Sequence, residues 1–270
     1  MLLYMHAFIC KEDKRKLMKK IIFVTVSMRG GGTERVISIL ANRMIAMGHE
    51  VTIVMIADPA IEYKLDEKIR VVCVSKATGG SLLGRLKRIR NMRQEFAKDK
   101  NAQIISMGTV ANMFTLAAAF GLKNPITISE RNDPNRLNHR PIKKHEVLLR
   151  NFLYKRAGKL VLQTPDVLEC FPVSTRSRCK VIPNPVPEGM PKPVSMEMRE
   201  KTVITAGRLT EQKNHKMLIR VFAEFCKVYP EYQLKIFGRG ELEEELQKLI
   251  DELGLRRNAQ LCGFSDNLYG

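Results

Sequence analysis

The sequence predicts an α/β fold made of two doubly wound domains, the second of them incomplete. Short, continuously apolar runs alternate with longer segments of helical periodicity, a pattern typical of parallel strands covered on both faces. Five prolines then interrupt this alternation, because proline fits neither a helix interior nor a central strand: Pro183, Pro185, Pro187, Pro191 and Pro193. The alternation resumes after residue 200, so the proline cluster marks a linker between two domains.

The first predicted domain covers residues 18–187 and alternates strands with helices. Apolar runs predict its strands at Ile21–Val26, Val51–Ile56, Arg70–Val74, Ile104–Met107, Ile126–Ser129, Leu160–Leu162 and Lys180–Ile182. Apolar residues at three- and four-residue spacing predict its helices at Thr33–Met47, Leu82–Phe96, Val110–Phe120 and Ile142–Arg156. Gly48 and Gly121 follow two of these helices, in the position where glycine commonly ends a helix.

Residues 188–200 form the predicted linker, and residues 201–270 form the predicted second domain. Its elements are predicted in the order Val203–Ala206, helix Asn214–Tyr229, Leu234–Phe237, helix Glu241–Leu253 and Ala259–Cys262. A three-stranded parallel sheet leaves an unpaired edge and an uncovered face. The second domain is therefore expected to lack part of its sheet.

The chain is strongly basic, with 46 Lys and Arg against 28 Asp and Glu, which indicates an anionic partner. Much of the excess lies in two stretches of the first domain, residues 81–100 and 131–159. Nucleic acid is disfavoured as the partner, because aromatic residues make up 6% of the chain, Trp is absent and no nucleic-acid motif is present. Phosphorylated small molecules and anionic lipid headgroups fit better.

The six cysteines form no C-x-x-C pair and lie mostly in apolar segments, which predicts buried free thiols in a reducing cytoplasm. The five histidines show no metal-ligand spacing, so no metal is expected. Residues 1–10 are apolar, but the basic residues follow them, unlike the order in a signal peptide. We expect the natural start of the protein at Met18.

A glycine turn, Gly30 to Gly32, joins the first predicted strand to its helix. Three consecutive glycines exceed what a tight turn requires, and they allow backbone N–H groups at a helix end to approach a phosphate or a sugar. A dinucleotide-binding fingerprint would use Gly30, Gly32 and position 35, with Asp58 on the ribose. Arg35 is too bulky for the third glycine of that fingerprint, which weakens a nicotinamide-dependent oxidoreductase as the interpretation.

Arg208 and Lys213 follow the strand Val203–Ala206 on one short loop that begins at Gly207. Open α/β sheets bind ligands at the carboxyl ends of their strands, and a forked guanidinium beside an ammonium suits two linked phosphates. A loop Arg and Lys in so basic a chain are often only solvated surface. The tight turn before them and the helix after them favour a diphosphate site.

Two further loops follow strands on the same side of their sheets. The Gly238 loop precedes a helix that opens with four glutamates, which would repel phosphate, so we assign it to shaping the cleft. Glu130 follows the strand Ile126–Ser129, where an acid can contact a sugar hydroxyl or a reacting centre. A surface ion pair between Glu130 and Arg131 is nearly as good an interpretation.

The helix predicted at Leu82–Phe96 has a broad apolar face with basic residues flanking or opposite it. This pattern fits a solvated helix packed on its sheet, and it equally fits a helix that lies on an anionic membrane surface. No apolar run approaches the ~20 residues that a membrane span requires.

Five segments together resemble the GT-B-type retaining glycosyltransferases known as glycosyl transferases group 1. They are 30–36 (GGGTERV), 129–132 (SERN), 182–186 (IPNPV), 207–214 (GRLTEQKN) and 237–240 (FGRG), in the family's order between about Lys20 and Gly270. The resemblance implies two Rossmann-like domains, a first that binds the acceptor and a second that binds a nucleotide sugar. Members with the SERN pattern resemble bacterial enzymes that build surface polysaccharides on lipid-linked acceptors.

The resemblance also implies roles for individual residues. Arg208 and Lys213 would hold the donor diphosphate, and Gly31 and Gly32 would approach the same diphosphate from the first domain. Glu130 stands where many relatives have a histidine near the transferred sugar. The residues expected to line the nucleotide site are Gly238, Cys262, Gly263 and Phe264. No cofactor or metal is implied, and the donor is expected to be a UDP-sugar.

Family members continue past the equivalent of Gly270 with more strands and a helix bearing two glutamates eight positions apart. We therefore expect a cytoplasmic, C-terminally truncated enzyme with weak or no turnover, peripheral on the inner face of the cytoplasmic membrane. The alternative is a non-catalytic, basic protein, a remnant of such an enzyme that binds a membrane or a partner.

Overall fold

A computed structural model describes residues 18–75, 81–137, 140–185 and 191–265. The described residues divide into two compact units, with the division between Val186 and Pro187, inside the proline cluster. The boundary of the predicted first domain at residue 187 lies beside this division. Of the predicted linker 188–200, residues 188–190 lie outside the described residues, and the rest holds a short 3-10 helix, Met196–Met198.

The first unit alternates strands and helices in the predicted order. Its strands are β1 (Lys20–Thr25), β2 (Glu50–Met55), β3 (Arg70–Cys73), β4 (Gln103–Met107), β5 (Ile126–Ser129), β6 (Arg136–Leu137), β7 (Arg140–Pro141), β8 (Lys159–Leu162) and β9 (Cys179–Val181). Its helices are α1 (Gly32–Ala46), α2 (Leu82–Ala97), α3 (Thr109–Ala118), α4 (Lys144–Tyr154) and α5 (Val173–Arg176), with a 3-10 helix at Pro165–Cys170. The two-residue strands β6 and β7 and the single turn α5 were not predicted, because such short elements carry no periodicity.

Seven strands of the first unit form one parallel sheet in the order β3-β2-β1-β4-β5-β8-β9. The strand order reverses between β1 and β4, so their carboxyl ends open a crevice where doubly wound sheets bind ligands. The glycine turn leaves β1 at that edge, and Glu130 leaves β5 at the same edge. The sheet thus gathers the predicted site residues of this unit on one side.

Alternate side chains of β1 separate two hydrophobic cores on the two faces of the sheet. Ile21 and Phe23 pack with the buried side of α1, and Val24 packs with buried side chains of α2, α3 and α4. Both faces are therefore covered, as the continuous apolar strands predicted.

The second unit is a three-stranded parallel sheet with its helices on one face. Its elements are β10 (Thr202–Ala206), a 3-10 helix (Glu211–Lys213), α6 (His215–Val228), β11 (Gln233–Phe237), α7 (Glu243–Glu252) and β12 (Ala259–Gly263), and the strand order is β10-β11-β12. Leu234 and Ile236, alternate residues of β11, are buried in one core with both helices. Ile204, on the β10 face paired with Lys235, is 56% exposed.

Two expectations about the surface have definite outcomes. The five cysteines that lie in the described ranges are free, but each is only partly buried, so the prediction of buried thiols is wrong for them: Cys73, Cys170, Cys179, Cys226 and Cys262. Cys10 lies outside the described residues. No helix in the described part of the chain is long and apolar enough to cross a membrane.

Candidate functional site

Three loops meet at the carboxyl edge of the second sheet. Gly207, after β10, donates its N–H to the Phe237 carbonyl over 2.9 Å, and Gly238, after β11, donates to the Gly263 carbonyl over 2.7 Å. These bonds continue the strand pairing past the ends of the strands. They bring the Gly238 loop beside the loop with Arg208 on one side and beside Gly263 on the other, in the strand order β10-β11-β12.

The glycines of the second loop are required by close backbone packing. Gly238 has a φ of +145°, and a Cβ on it would lie 2.9 Å from the Gly207 carbonyl carbon and closer still to the oxygen. A Cβ on Gly240 would lie 2.8 Å from the Leu209 nitrogen. Arg239 and Leu209 tie the two loops together by a backbone bond of 3.0 Å. The glycines thus let the Gly238 loop support the Arg208 loop; contact of Gly238 with a nucleotide stays a prediction.

Arg208 and Lys213 are both exposed on this supported loop. The Lys213 side chain lies over Gly207, where an added Cβ would be 3.4 Å from its Cε. Asn214, with a φ of +50°, takes a left-handed conformation that turns the chain from the 3-10 helix into α6. Neither cation has a carboxylate partner among the residues that the structure describes. Two unpaired positive charges therefore share one short loop at a sheet edge.

His215, which the sequence analysis did not single out, lies behind this loop. It is 3% exposed, and a hydrogen bond links it to the backbone of Arg208. Its Nε2 has no hydrogen-bond partner within the described structure. Burial lowers the pKa of His215 below 6.5, the bond to Arg208 raises it, and the Lys213 charge lowers it. The one signal in the sequence that could have pointed to His215 is its position directly after the loop with Arg208 and Lys213.

We expect the second unit to lose stability as the pH falls through about 6.5, the ordinary pKa of histidine. Because the pKa of folded His215 is lowered, the unfolded chain binds more protons just below that pH, and folding is disfavoured there. Hydrogen exchange of peptides from β10 and α6 at several pH values measures this loss. The substitution His215→Gln should remove the pH dependence, and His145→Gln, at an exposed position of the first unit, should preserve it. An unchanged pH profile in His215→Gln would refute the assignment.

The residues expected beside the nucleobase lie at the carboxyl end of β12, with Cys262 and Gly263 in the strand and Phe264 directly after it. Gly263 has a φ of +67°, and the Phe264 ring beyond it is 58% exposed. Cys262 is partly buried, with its Sγ 3.7 Å from the Gln260 carbonyl oxygen. An exposed aromatic ring at the same carboxyl edge of the sheet as two exposed cations suits a ligand that joins a base to phosphates.

In the first unit, the glycine turn is already engaged by a neighbouring segment. Gly30 donates its N–H to the Glu62 carboxylate over 2.7 Å, and the Tyr63 hydroxyl bonds both the N–H and the carbonyl of Gly31. A Cβ on Gly32 would meet nothing within 4 Å. Packing in the described structure therefore does not require glycine at position 32, and ligand approach there stays a prediction. Ligand contact at Gly31 would displace the Tyr63 hydroxyl.

Asp58, the candidate ribose acid of a dinucleotide site, is held within the protein instead. Its carboxylate accepts hydrogen bonds from Arg29 and from the Ala60 N–H. The Arg29 guanidinium holds the pKa of Asp58 below its usual value. This carboxylate thus fixes the loop after β2.

Glu130 is 1% exposed, so a surface ion pair between Glu130 and Arg131 is wrong. Its carboxylate accepts hydrogen bonds from the Thr109 hydroxyl at 2.7 Å and from the Tyr154 hydroxyl. Asn112 donates to the Tyr154 oxygen over 3.1 Å and completes a buried network between β5, α3 and α4. Burial raises the pKa of Glu130, and its hydrogen-bond donors lower it. The geometry favours a positioning role, and contact with a sugar stays a prediction.

Arg131 leaves the same strand and is 7% exposed. It donates to the Asn184 side chain, which also accepts from Gln163 over 2.8 Å. Its pKa is lowered to about 10 by burial, although the Glu34 charge raises it. The SERN and IPNPV segments therefore meet through side chains, which the sequence alone did not predict.

No cluster of three or more metal-ligating side chains is found in the ranges that the structure describes. The chemistry that the two edges offer is electrostatic and hydrogen-bonding. In the described residues, the second unit presents two exposed cations without carboxylate partners. The first unit holds the backbone groups of its glycine turn and its buried acid in internal hydrogen bonds.

Two family models match the chain. The model for Glycosyltransferase Family 4 matches residues 30–188, which is more than half of the chain, and the model for Glycosyl transferases group 1 matches residues 190–269. The boundary between the two matches lies beside the division between the two structural units.

Characterised relatives include two N-acetylgalactosaminyltransferases of Campylobacter jejuni whose names specify diphospho-undecaprenol substrates. One is 28% identical over 88% of this chain and 67% of its own length, and the other is 26% identical over 93% and 71%. An uncharacterised glycosyltransferase of Methanocaldococcus jannaschii is 34% identical over 45% of this chain and 33% of its own length.

Solved structures with the same fold include HepE from Anabaena in complex with UDP and glucose, at a TM-score of 0.72 and 19% identity over 92% of this chain and 70% of that one. Another is TarM from S. aureus in complex with UDP and other ligands, at a TM-score of 0.69 and 14% identity over 92% and 78%. The fold is thus of the GT-B type. By its family matches, the chain belongs to Glycosyltransferase Family 4, within the group 1 glycosyltransferases.

Proposed function

We propose that the protein transfers a sugar from a UDP-sugar to a lipid-linked or saccharide acceptor in cell-surface glycan synthesis, with retention at the anomeric carbon. The observation that carries the donor half of this proposal is the pair Arg208 and Lys213. Both are exposed and lack carboxylate partners within the described structure, and both lie on a loop held from behind by Gly238 and His215.

The two cations would act on the donor diphosphate. The Arg208 guanidinium can donate two parallel hydrogen bonds, and the Lys213 ammonium can stabilise the charge that develops as the diphosphate leaves. Cys262, Gly263 and Phe264 would lie beside the base. UDP is the nucleotide named with HepE and TarM, which supports uracil as the base.

The acceptor half of the proposal has separate support. Two relatives are named for diphospho-undecaprenol substrates, and the first unit carries the basic stretches of the sequence. Gly31 and Gly32 remain the proposed ligand contacts of the glycine turn, and Glu130 would act by positioning the segment 130–132. We place the enzyme at the inner face of the cytoplasmic membrane, beside a lipid-linked acceptor.

Calorimetric titration of the full chain with UDP tests the donor site. We expect Arg208→Ala and Lys213→Ala each to weaken binding by about 10- to 100-fold, because a hydrogen bond to a charged group contributes about 1.5–3 kcal/mol. Arg257→Ala is the matched control, since Arg257 is an exposed cation of the same unit at the opposite, amino edge of β12. UDP binding that is unaffected by the first two variants would contradict the assignment.

The same titration with NAD and UDP in parallel separates the remaining alternatives. A nicotinamide-dependent oxidoreductase would bind NAD in preference to UDP. A non-catalytic remnant that only binds membranes would bind neither. Preferential binding of UDP, weakened in both variants, is the result that the proposal requires.

A further inference from the structure

Seven large apolar side chains lie exposed on, or just beyond the ends of, the helices that cover one face of the first sheet. Helix α3 packs between α2 and α4 on this face. The seven side chains have between 51% and 80% of their surface exposed: Leu82, Leu83, Leu86, Phe120, Leu148, Leu149 and Phe152. We call these residues, with the cations Arg85, Lys87, Arg90, Lys144, Lys155 and Arg156, the apolar–basic face.

The core of the unit does not explain these exposed side chains. The same helices bury other apolar residues against the sheet, among them Met92, Phe96 and Leu153. The broad apolar face predicted for Leu82–Phe96 is therefore divided, because its second half packs inward and its first half points to solvent. Exposed apolar area of this extent on one side of a soluble domain indicates an interaction surface.

Cations are interleaved with the leucines of α2. Leu86, Lys87 and Arg90 lie three, four and seven residues after Leu83, which puts all four on one side of the helix. All four are exposed. An amphipathic helix that lies in a bilayer interface has this composition, with apolar side chains directed into the acyl region and long cationic side chains at the headgroups.

The face carries almost no negative charge of its own. Helices α2, α3 and α4 contain two acidic residues, Glu95 and Glu146. Glu95 is bound by Arg70 and Lys98, and Glu146 is bound by Arg140. The described structure contains no carboxylate paired with Arg85, Lys87 or Arg90. The positive charge on this side of the unit is thus uncompensated.

Phe120 and Arg156, just beyond the ends of α3 and α4, form another pair of an apolar and a cationic side chain on this face. The Arg156 guanidinium lies 4.3 Å from the centroid of the Phe120 ring, and both side chains are exposed. A ring with a cation on its surface is suited to the boundary between acyl chains and headgroups.

We infer that the apolar–basic face docks on a bilayer surface that contains anionic lipid. A second copy of the chain is a poorer occupant, because two such faces would bring like charges together. The anionic headgroups of a bilayer would neutralise the charge of the cations, and its acyl region would bury the leucine and phenylalanine side chains. The inference rests on this face alone and does not depend on sugar transfer.

Co-sedimentation of the full chain with vesicles tests the inference. One set of vesicles is phosphatidylcholine alone, and in the other set phosphatidylglycerol replaces part of it. We expect binding to the second set, weakened about 30-fold in Lys87→Gln/Arg90→Gln, because each cation near an anionic surface contributes about a factor of five. Leu83→Ser/Leu86→Ser should lose about 100-fold on anionic vesicles, since both side chains leave the apolar phase. Leu148→Ser/Phe152→Ser should behave like the leucine pair.

Matched variants on the second unit control for general loss of charge or apolar surface. Val221→Ser removes an exposed apolar residue of α6, and Lys227→Gln/Lys248→Gln removes two exposed cations. Both should bind like the unchanged protein. The inference is overturned if the unchanged protein binds neither set of vesicles, if the face variants bind as well as it does, or if the control variants lose as much. A dimer disrupted by Leu148→Ser/Phe152→Ser, without vesicle binding, would assign the face to a second copy.

Discussion

Replacing Gly238 with alanine is expected to destabilise the second unit by about 3 kcal/mol or more. The backbone at this position has a φ of +145°, which L-residues rarely adopt and which costs about 1–3 kcal/mol for a residue with a side chain. The new methyl group would also overlap the Gly207 carbonyl, and the strand pairing that places this carbonyl is continuous with β10 and β11. Relief would require the two loops to separate, which would also displace Arg208.

Hydrogen exchange of the full chain measures this effect, because peptides from β10 and β11 report the second unit and peptides from β1 and β4 report the first. Gly254→Ala is the matched control. Gly254 also has a positive φ, +69°, but a Cβ there would meet nothing within 4 Å. Its replacement should cost about 1–2 kcal/mol, the ordinary penalty of a left-handed conformation. Equal losses in the two variants would show that the Gly207 contact is unimportant.

The order of the elements could be predicted because it depends on local patterns. Continuous apolar runs such as Ile104–Met107 predict buried strands from their composition alone. In the structure, each of the longer strands begins and ends within about one residue of its predicted position. The division between the two units, at Val186 and Pro187, lies beside the linker that the proline cluster predicted at residues 188–200. The strand segments are predominantly apolar because both faces of the sheet are buried, so the side chains on both sides of such a strand lie in a hydrophobic core.

The site could be predicted only as far as its loops. The sequence placed Arg208, Lys213 and Glu130 at carboxyl ends of strands, and the structure has them there. The sequence could not show that Glu130 is enclosed by Thr109 and Tyr154. Thr109 lies 21 residues before Glu130 and Tyr154 lies 24 residues after it, and no local pattern shows that they meet. The sequence also could not show which glycines are required by packing, because that depends on contacts between loops, such as that of Gly238 with Gly207.

Replacing Arg150 with methionine is expected to destabilise the first unit by about 3–5 kcal/mol, although methionine keeps much of the volume. Arg150 is 1% exposed and donates hydrogen bonds to the Pro134 carbonyl at 2.6 Å and to the Cys170 carbonyl at 3.2 Å. Its guanidinium lies 5.0 Å from the centroid of the Phe171 ring. Removal of such a buried charge leaves its partners without donors, which is the costly case for buried polar groups.

The pH dependence of this loss distinguishes the charge of Arg150 from its packing. Burial raises the pKa of Glu130 above 4.5, and the Arg150 charge lowers it, so the substitution raises it further. Above pH 4.5 the folded state then holds a proton that the unfolded chain has released, and stability falls as the pH rises. The deficit of Arg150→Met should therefore grow from acidic to neutral pH.

Two variants complete this test, again followed by hydrogen exchange of the first unit. Arg156→Met changes an exposed arginine two residues beyond α4 and should cost little at any pH. The double variant Arg150→Met/Glu130→Gln should show the loss of packing and hydrogen bonds without its growth toward neutral pH, because the titrating group is gone. A deficit that stays constant with pH in Arg150→Met would mean that the charge of Arg150 does not act on Glu130. The network would then be held by the Thr109 and Tyr154 hydroxyls alone, and Arg150 would serve the Pro134 and Cys170 carbonyls.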